Sequence, residues 1–480
     1  MQLTASLMIK PGSLDTILNK YLHYIYLLYA AVIICTTIII TPPFQNPDEP
    51  YHFARAEQVS RLELIPTFVF AKHNDSIAGI PKLFYPDKDG FKADKGIFSA
   101  YNYFHHISFN PSVKTNTAKQ DSAKKINWGN GMAYVNFGNT AINPPVTYLM
   151  PAIGIAIGKL FYQPVITTLY ISRYLNAVLC LALCFTALLL AKRSKLLMFI
   201  VLLFPMTIAL FSAVSPDAVL ISCAFLLVAV IDNVEFGETK LYNKQHIYGL
   251  VILMCIIGLA KPPYIILAIV FLFLTLNNRT KLIMITIPVL VVISWLMINH
   301  ANYSIKFAPA EYKVNAKMQI ANIIHHPFKF AGMFFNIDMN AIYSIARMFV
   351  GVLGWLDVQF SNLYYEIAYG LLIAGIIISS KFDKKANLLL KTSFFVAAIF
   401  TTLAVITAQY VTWTTVGANE LSGMQGRYLL PIFPFAALGL SGQPIGAKFS
   451  KLKNTVLILV LLFPVYTFIN LIYTLTARYY

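Results

Sequence analysis

Few side chains in this 480-residue sequence can do chemistry, and they are grouped. The densest group is Pro42-Pro43-Phe44-Gln45-Asn46-Pro47-Asp48-Glu49-Pro50-Tyr51-His52-Phe53-Ala54-Arg55, where two adjacent carboxylates stand among four prolines. Proline fixes φ and stiffens its surroundings, so this loop holds its acids in place rather than merely keeping itself soluble. From Tyr51 the pattern turns helical, with Phe53, Ala56, Val59 and Ser60 on one side and Arg55, Gln58 and Glu63 toward others. Asp48 and Glu49 therefore lie at or just before a helix N-terminus, where the helix dipole favours the ionised form. Either acid alone could serve as a cap. A rigid pair beside an apolar run also suits removal of a proton from a hydroxyl.

A further acid, Asp217, sits in Val214-Ser215-Pro216-Asp217-Ala218, a tight turn between apolar runs, where an N-cap or first-turn role is the simplest reading. Arg427, in Glu420-Leu421-Ser422-Gly423-Met424-Gln425-Gly426-Arg427-Tyr428, stands at the mouth of an apolar run after two glycines. It is suited to clamping a phosphate, or to snorkelling toward lipid headgroups. Lys261 belongs to the same class. Asp357, after Gly351-Val352-Leu353-Gly354-Trp355-Leu356, reads as a substrate contact or an interface anchor. His105-His106 and His325-His326 are adjacent pairs whose rings point apart, which is not metal-ligand spacing. The five cysteines all lie inside apolar runs and indicate neither a disulfide framework nor a zinc site. Phosphate-loop, dinucleotide and nucleophile-elbow motifs are absent.

The elements that must position these residues are set by composition. Hydrophobic residues make up 58% and charged residues 12%, about half the charged fraction of a soluble domain. A soluble enzyme is excluded, and the expected fold is an all-α integral membrane bundle of about eleven transmembrane helices. Candidate spans run over 21–41, 168–191, 196–214, 217–233, 246–260, 263–277, 282–299, 363–379, 389–411, 427–441 and 453–475. This divides the chain into an N-terminal tail and first span (1–41), a large extracytoplasmic loop (42–167), a bundle (168–299), a second extracytoplasmic segment (300–362) and the C-terminal spans (363–480). The first span is too long for a signal h-region and is read as uncleaved. Part of the net charge of +17 follows topology. With the N-terminus cytoplasmic, Lys192, Arg193, Lys195, Lys240, Lys244, Arg279, Lys281, Lys381, Lys384, Lys385, Lys391, Lys448, Lys451 and Lys453 all face the cytoplasm. No nucleic-acid partner is implied. Lys261, Arg427 and Arg478 are the exceptions on the short outward connections and need a reason to be there.

Two stretches admit alternatives. Val146 to Phe161 is expected to lie as an interfacial helix, since counting it as a span would turn every later Lys-rich loop outward. Lys261-Pro262-Pro263 is expected to turn a hairpin rather than kink one helix, because a kink would place Arg279 and Lys281 outside. The loop 62–140, with Tyr85, Tyr101, Tyr103, Phe104, Trp128 and Tyr134, is expected to cover the site and stack on sugar rings.

Together, Asn46-Pro47-Asp48-Glu49-Pro50-Tyr51-His52-Phe53, Asn143-Pro144-Pro145-Val146-Thr147-Tyr148, Ser215-Pro216-Asp217, Gly354-Trp355-Leu356-Asp357 and Gln425-Gly426-Arg427-Tyr428-Leu429-Leu430-Pro431 resemble a bacterial family of polytopic membrane proteins of unknown function. That family is similar in layout to the GT-C glycosyltransferases. The resemblance implies a polyprenyl-phosphate sugar donor, a glycan or lipid-linked acceptor, an extracytoplasmic active site in a bacterial cytoplasmic membrane and, in some members, a divalent cation. It places Asp48, Glu49 and Asp217 in catalytic positions. His52, Arg55, Asn143, Tyr148, Lys261, Asp357, Gln425, Arg427 and Tyr428 would bind substrate. The alternatives are a lipid or solute transporter, or a polysaccharide polymerase or ligase. Acids clustered at one face beside a loop of over a hundred residues favour an enzyme over a carrier.

Overall fold

A computed structural model describes residues 14–70, 89–129, 131–237, 241–303, 313–336, 338–379, 388–421, 423–442 and 450–480. Tyr85, Lys240, Lys381, Lys384, Lys385, Ser422 and Lys448 lie outside them.

Backbone groups that no water can reach must bond within their own segment, and the apolar runs are accordingly helical. Seven described helices are long and apolar enough to cross a membrane: Lys20–Ile40, Val165–Leu190, Pro216–Phe236, Asn278–Ile298, Asn362–Ser379, Leu388–Trp413 and Lys451–Tyr479. The chain is a multi-pass membrane protein. The other four expected spans are short or broken. Residues 196–214 divide into Lys195–Leu202 and Pro205–Phe211, because Pro205 cannot continue a helix and opens a new one. Lys244–Ala260 has 17 residues. Pro262–Phe273 winds as a 3₁₀ helix of 12 residues, and a rise of 2.0 Å per residue stretches it to about 24 Å. The 427–441 stretch separates into a 3₁₀ turn, Gly426–Leu429, and a short helix, Phe433–Leu440. Pro216–Phe236 is the bundle's centre, with 78% of its apolar window buried against 17% for Asn278–Ile298 at the edge.

The chain turns at Lys261-Pro262. Lys261 meets Asp217 at the end of the bundle that carries the site, and the indole of Trp295, 34 residues later, donates to Ile142 O of the large loop at that same end. The segment between them must leave that face and return.

The acid-bearing helix is Glu49–Ser60, and its polar side does not face water: ten of its twelve residues are buried, Arg55, Glu57 and Gln58 among them. The large loop wraps it and supplies partners for its polar groups, one Glu57 carboxylate oxygen excepted. Gln58 Nε2 donates to Lys92 O, while Glu57 pairs with Arg61 and Lys159. The wrapping includes an antiparallel sheet of β1 (Phe68–Phe70), β2 (Asp89–Asp94) and β3 (Met132–Val135), with Phe91 opposite both Phe68 and Val135. Val146 to Phe161 forms a 3₁₀ turn, Pro145–Tyr148, and a helix, Leu149–Leu160. Twelve residues reach about 18 Å, well short of a bilayer core. Both ends touch Glu49–Ser60, through Tyr148 with His52 and Lys159 with Glu57, so the segment begins and ends at one face. It packs lengthwise on the start of Val165–Leu190, where a Cβ on Gly154 would come within 2.7 Å of the Ser172 Cα.

The loop's aromatic residues differ from expectation. Tyr101 and Phe104 are buried against Phe44, and Trp128 packs on Phe53 and donates to Thr168. They form the domain's own core, because a loop of this size must bury apolar surface to hold a shape.

Candidate functional site

The N-terminus of Glu49–Ser60, the N-terminus of Pro216–Phe236, the turn at Lys261 and the 3₁₀ turn Gly426–Leu429 meet at one point. Asp48 precedes the first of these in the left-handed region, at φ 57°, and makes no side-chain cap bond. Its backbone carbonyl accepts from Tyr51 and His52 instead. The carboxylate is thus left free of the helix, about a third exposed, with one oxygen 3.5 Å from Arg427 Nη2. Asp217 is not the cap of its own helix either. Ser215 Oγ accepts from its amide, and this releases the carboxylate to pair with Lys261 Nζ at 2.7 Å and to approach Arg427 Nε at 3.7 Å.

Arg427 therefore stands between two carboxylates, both beyond hydrogen-bond distance, and its Nε is buried without a hydrogen-bond partner. Burial opposes its charge, but the Tyr428 hydroxyl and the carboxylates of Asp217 and Asp48 outweigh that and hold the guanidinium firmly protonated. Lys261 Nζ lies 4.1 Å from the centre of the Tyr428 ring, and the Tyr428 carbonyl is fixed by the Tyr264 hydroxyl at 2.6 Å. The glycine before Arg427 is required: a Cβ on Gly426 would land on the Phe349 amide nitrogen and the Ile345 carbonyl oxygen.

Asp48 and Arg427 open into a cavity of about 210 Å³, walled by Phe109, Trp355, Trp413 and Tyr428 and edged by Gln409 and Gln425. Phe109 and Trp355 face each other across 5.0 Å. One carboxylate, one guanidinium, two amides and four aromatic rings suit a polar ring-shaped ligand that carries an anionic group.

His52 lies behind this cluster. Its Nδ1 is 2.7 Å from the Tyr148 hydroxyl, which also receives a bond of 3.0 Å from Asn143 Nδ2. Burial, partly offset by Asp48 and Asp217, pushes the pKa of His52 down to about 4.

His52, Tyr148 and Asn143 thus stand behind the cavity and do not line it, and three more expected site residues are placed otherwise. Glu49 faces away from the cavity, in a fully buried pair with Arg173 at 2.8 and 2.5 Å, and also accepts from the Val214 amide. Arg55 is buried and gives four of its five N–H groups to Asn143 O, Gln58 Oε1, Glu63 O and Leu64 O, so it is held within the fold and does not line the cavity. Asp357 accepts from Trp355 N and pairs with Arg478 at 2.6 Å, beside a separate cavity of about 290 Å³. Its contribution is to the shape of the turn that presents Trp355. The three cations that stood apart from the Lys-rich loops are explained together, since Lys261, Arg427 and Arg478 each meet a carboxylate.

The sequence reading overlooked Arg173, Gln409, Trp413 and Phe109. Arg173 had a signal, as a lone charge inside an apolar span. Gln409 and Trp413 had none, being ordinary polar and aromatic residues near a span end. A divalent cation does not fit the acid pair. Lys261 and Arg427 already neutralise Asp48 and Asp217, and among the described residues no three His, Cys, Asp or Glu side chains are grouped to hold a metal.

Fold and site define a polytopic membrane protein with an ion-paired cavity at one membrane face. The chain belongs to the family described as Predicted membrane protein (DUF2142), which matches residues 31–436. No curated protein and no solved structure matches it.

Proposed function

We propose that the protein is a glycosyltransferase that moves a sugar from a polyprenyl-phosphate donor to a hydroxyl of a glycan or lipid-linked acceptor, with inversion, at the extracytoplasmic face of a bacterial cytoplasmic membrane. The observation that carries this reading is Asp48: a carboxylate that caps nothing, in an aromatic-walled cavity, with Arg427 beside it.

In the proposed step the acceptor hydroxyl gives its proton to the Asp48 carboxylate. Its oxygen bonds to the anomeric carbon while the bond from that carbon to the phosphate oxygen breaks, and the electron pair leaves with polyprenyl phosphate. A single displacement inverts the centre. The cations must stand where the leaving phosphate gains charge, a task suited to Arg427 and Lys261. Asp217 acts as a positioning residue by holding both. Trp355, Trp413 and Phe109 would stack on the sugar ring, and Gln409 and Gln425 would bond its hydroxyls.

The test is mass spectrometry of glycans and lipid-linked saccharides from cells carrying the wild type, Asp48→Asn or no protein. A sugar increment present with the wild type and missing from the other two is expected. Identical spectra in all three would remove the transferase reading and leave a carrier, which moves its cargo without changing its mass. An increment retained by Asp48→Asn would remove Asp48 as the base.

A further inference from the structure

We propose that residues 313–336 form a binding surface for anionic phospholipid, lying in the headgroup layer of the leaflet at the site face and buttressing the cavity wall. This stretch comprises the helices Ala316–His325 and Pro327–Met333 and lies in the chain between two membrane-crossing helices, Asn278–Ile298 and Asn362–Ser379. It is packed on one side only. Gln319 is buried, with Nε2 donating to Tyr410 O and Thr415 O while Oε1 accepts from the Gly417 amide at 2.8 Å. Phe330 stacks near Tyr410 at 5.3 Å. These contacts fix the stretch to the end of Leu388–Trp413 nearest the cavity, which is the level of a headgroup layer.

Its other side is exposed and of mixed character. Ile320 and Ile324 are one helical turn apart on the open face, and Phe328 and Phe335 are 91% and 88% exposed. Isolated phenylalanines this bare in water would be costly, whereas the boundary between headgroups and acyl chains accommodates them. Charge selects the lipid. Residues 313–336 contain Lys313, Lys317 and Lys329 and no Asp or Glu, and these lysines have no ion-pair partner among the described residues. Apolar anchors flanked by unpaired cations complement an anionic lipid surface, at about a fivefold gain in affinity per lysine.

A consequence reaches the cavity. Gln409 and Trp413 line it from the helix to which Gln319 and Phe330 hold this stretch, so a lipid that fixes residues 313–336 also fixes that wall. The proposal does not depend on the chemistry assigned to Asp48.

The test uses the full chain in nanodiscs of phosphatidylcholine alone or mixed with phosphatidylglycerol, spin-labelled at Phe328→Cys, with the labelled wild type as background. The label is expected to be accessible to oxygen and shielded from a water-soluble nickel chelate, with the shielding stronger in the mixture. Lys317→Gln with Lys329→Gln should abolish that lipid dependence, and native mass spectrometry should show fewer retained phosphatidylglycerol molecules. Full nickel accessibility in both lipids would overturn the proposal. Shielding unchanged by phosphatidylglycerol would overturn its anionic character. Dipolar broadening between labels would overturn it in favour of a second copy of the chain.

Discussion

Glu49→Gln separates the two neighbouring acids. In the native protein Arg173 donates from Nε at 2.8 Å and Nη2 at 2.5 Å to Glu49, and both side chains are fully buried. The remaining guanidinium hydrogens go to the carbonyls of Ile38, Thr41 and Pro42, which tie the end of the first span to Val165–Leu190. Glutamine keeps one acceptor oxygen and sets an NH₂ against an Arg173 N–H, leaving a buried charge unmatched. Breaking one side of a buried pair costs about 3–5 kcal/mol. At about 2.1 cal/mol/K per residue a chain of this length has an unfolding entropy near 1 kcal/mol/K, so Tm should fall by about 3–5 °C. Thermal unfolding in detergent, followed by fluorescence-detected size exclusion, measures this. Glu49→Gln should lower Tm and, below it, retain function, and adding Arg173→Gln should recover part of the loss. Asp48→Asn, with its partly exposed side chain and a 3.5 Å contact, should leave Tm unchanged and abolish function. A Glu49→Gln protein as stable as the wild type but inactive would refute the division of roles.

Asp48→Gly relieves a left-handed backbone, and the gain of about 1 kcal/mol should raise Tm slightly while activity is lost. His52 is held neutral by burial with a pKa of about 4. The unfolded chain binds the extra proton between about pH 6.5 and 4, so stability is present above about pH 6.5 and is lost as pH falls toward 4, by up to about 3 kcal/mol. The slope of Tm over that window should flatten in His52→Gln. Gly426→Ala places a methyl group on the backbone around Ile345 and Phe349, so it should displace Arg427 and remove function more completely than it lowers Tm. Arg478→Met strands Asp357 among Trp355 N and the emptied carbonyls of Ile107 and Val113. It should loosen the Trp355 turn, seen as an increase in Trp355 fluorescence quenching by iodide.

The sequence by itself determined the solvent and which of the few ions to follow. A low charged fraction and long apolar runs require helices in lipid, and that argument uses only local composition. Asp48, Asp217, Lys261 and Arg427 were conspicuous as ions that a membrane chain keeps only with a partner. Which ion pairs with which was not legible, because pairing depends on helix register and crossing across more than 370 residues. Glu49 and Asp48 are adjacent and look alike in sequence. The left-handed turn at Asp48 sends one side chain to Arg427 and the other to Arg173, and so parts them. Residues 196–214 and 427–441 came out broken because hydropathy averages over Pro205 and Pro431, which interrupt hydrogen-bonding. Tyr101, Phe104 and Trp128 were assigned to a ligand and belong to a core, since only three-dimensional packing tells an aromatic ring that faces a cavity from one that faces another ring. Tertiary structure alone decided which of the few charges remained unsatisfied, and that is the property from which a site is argued.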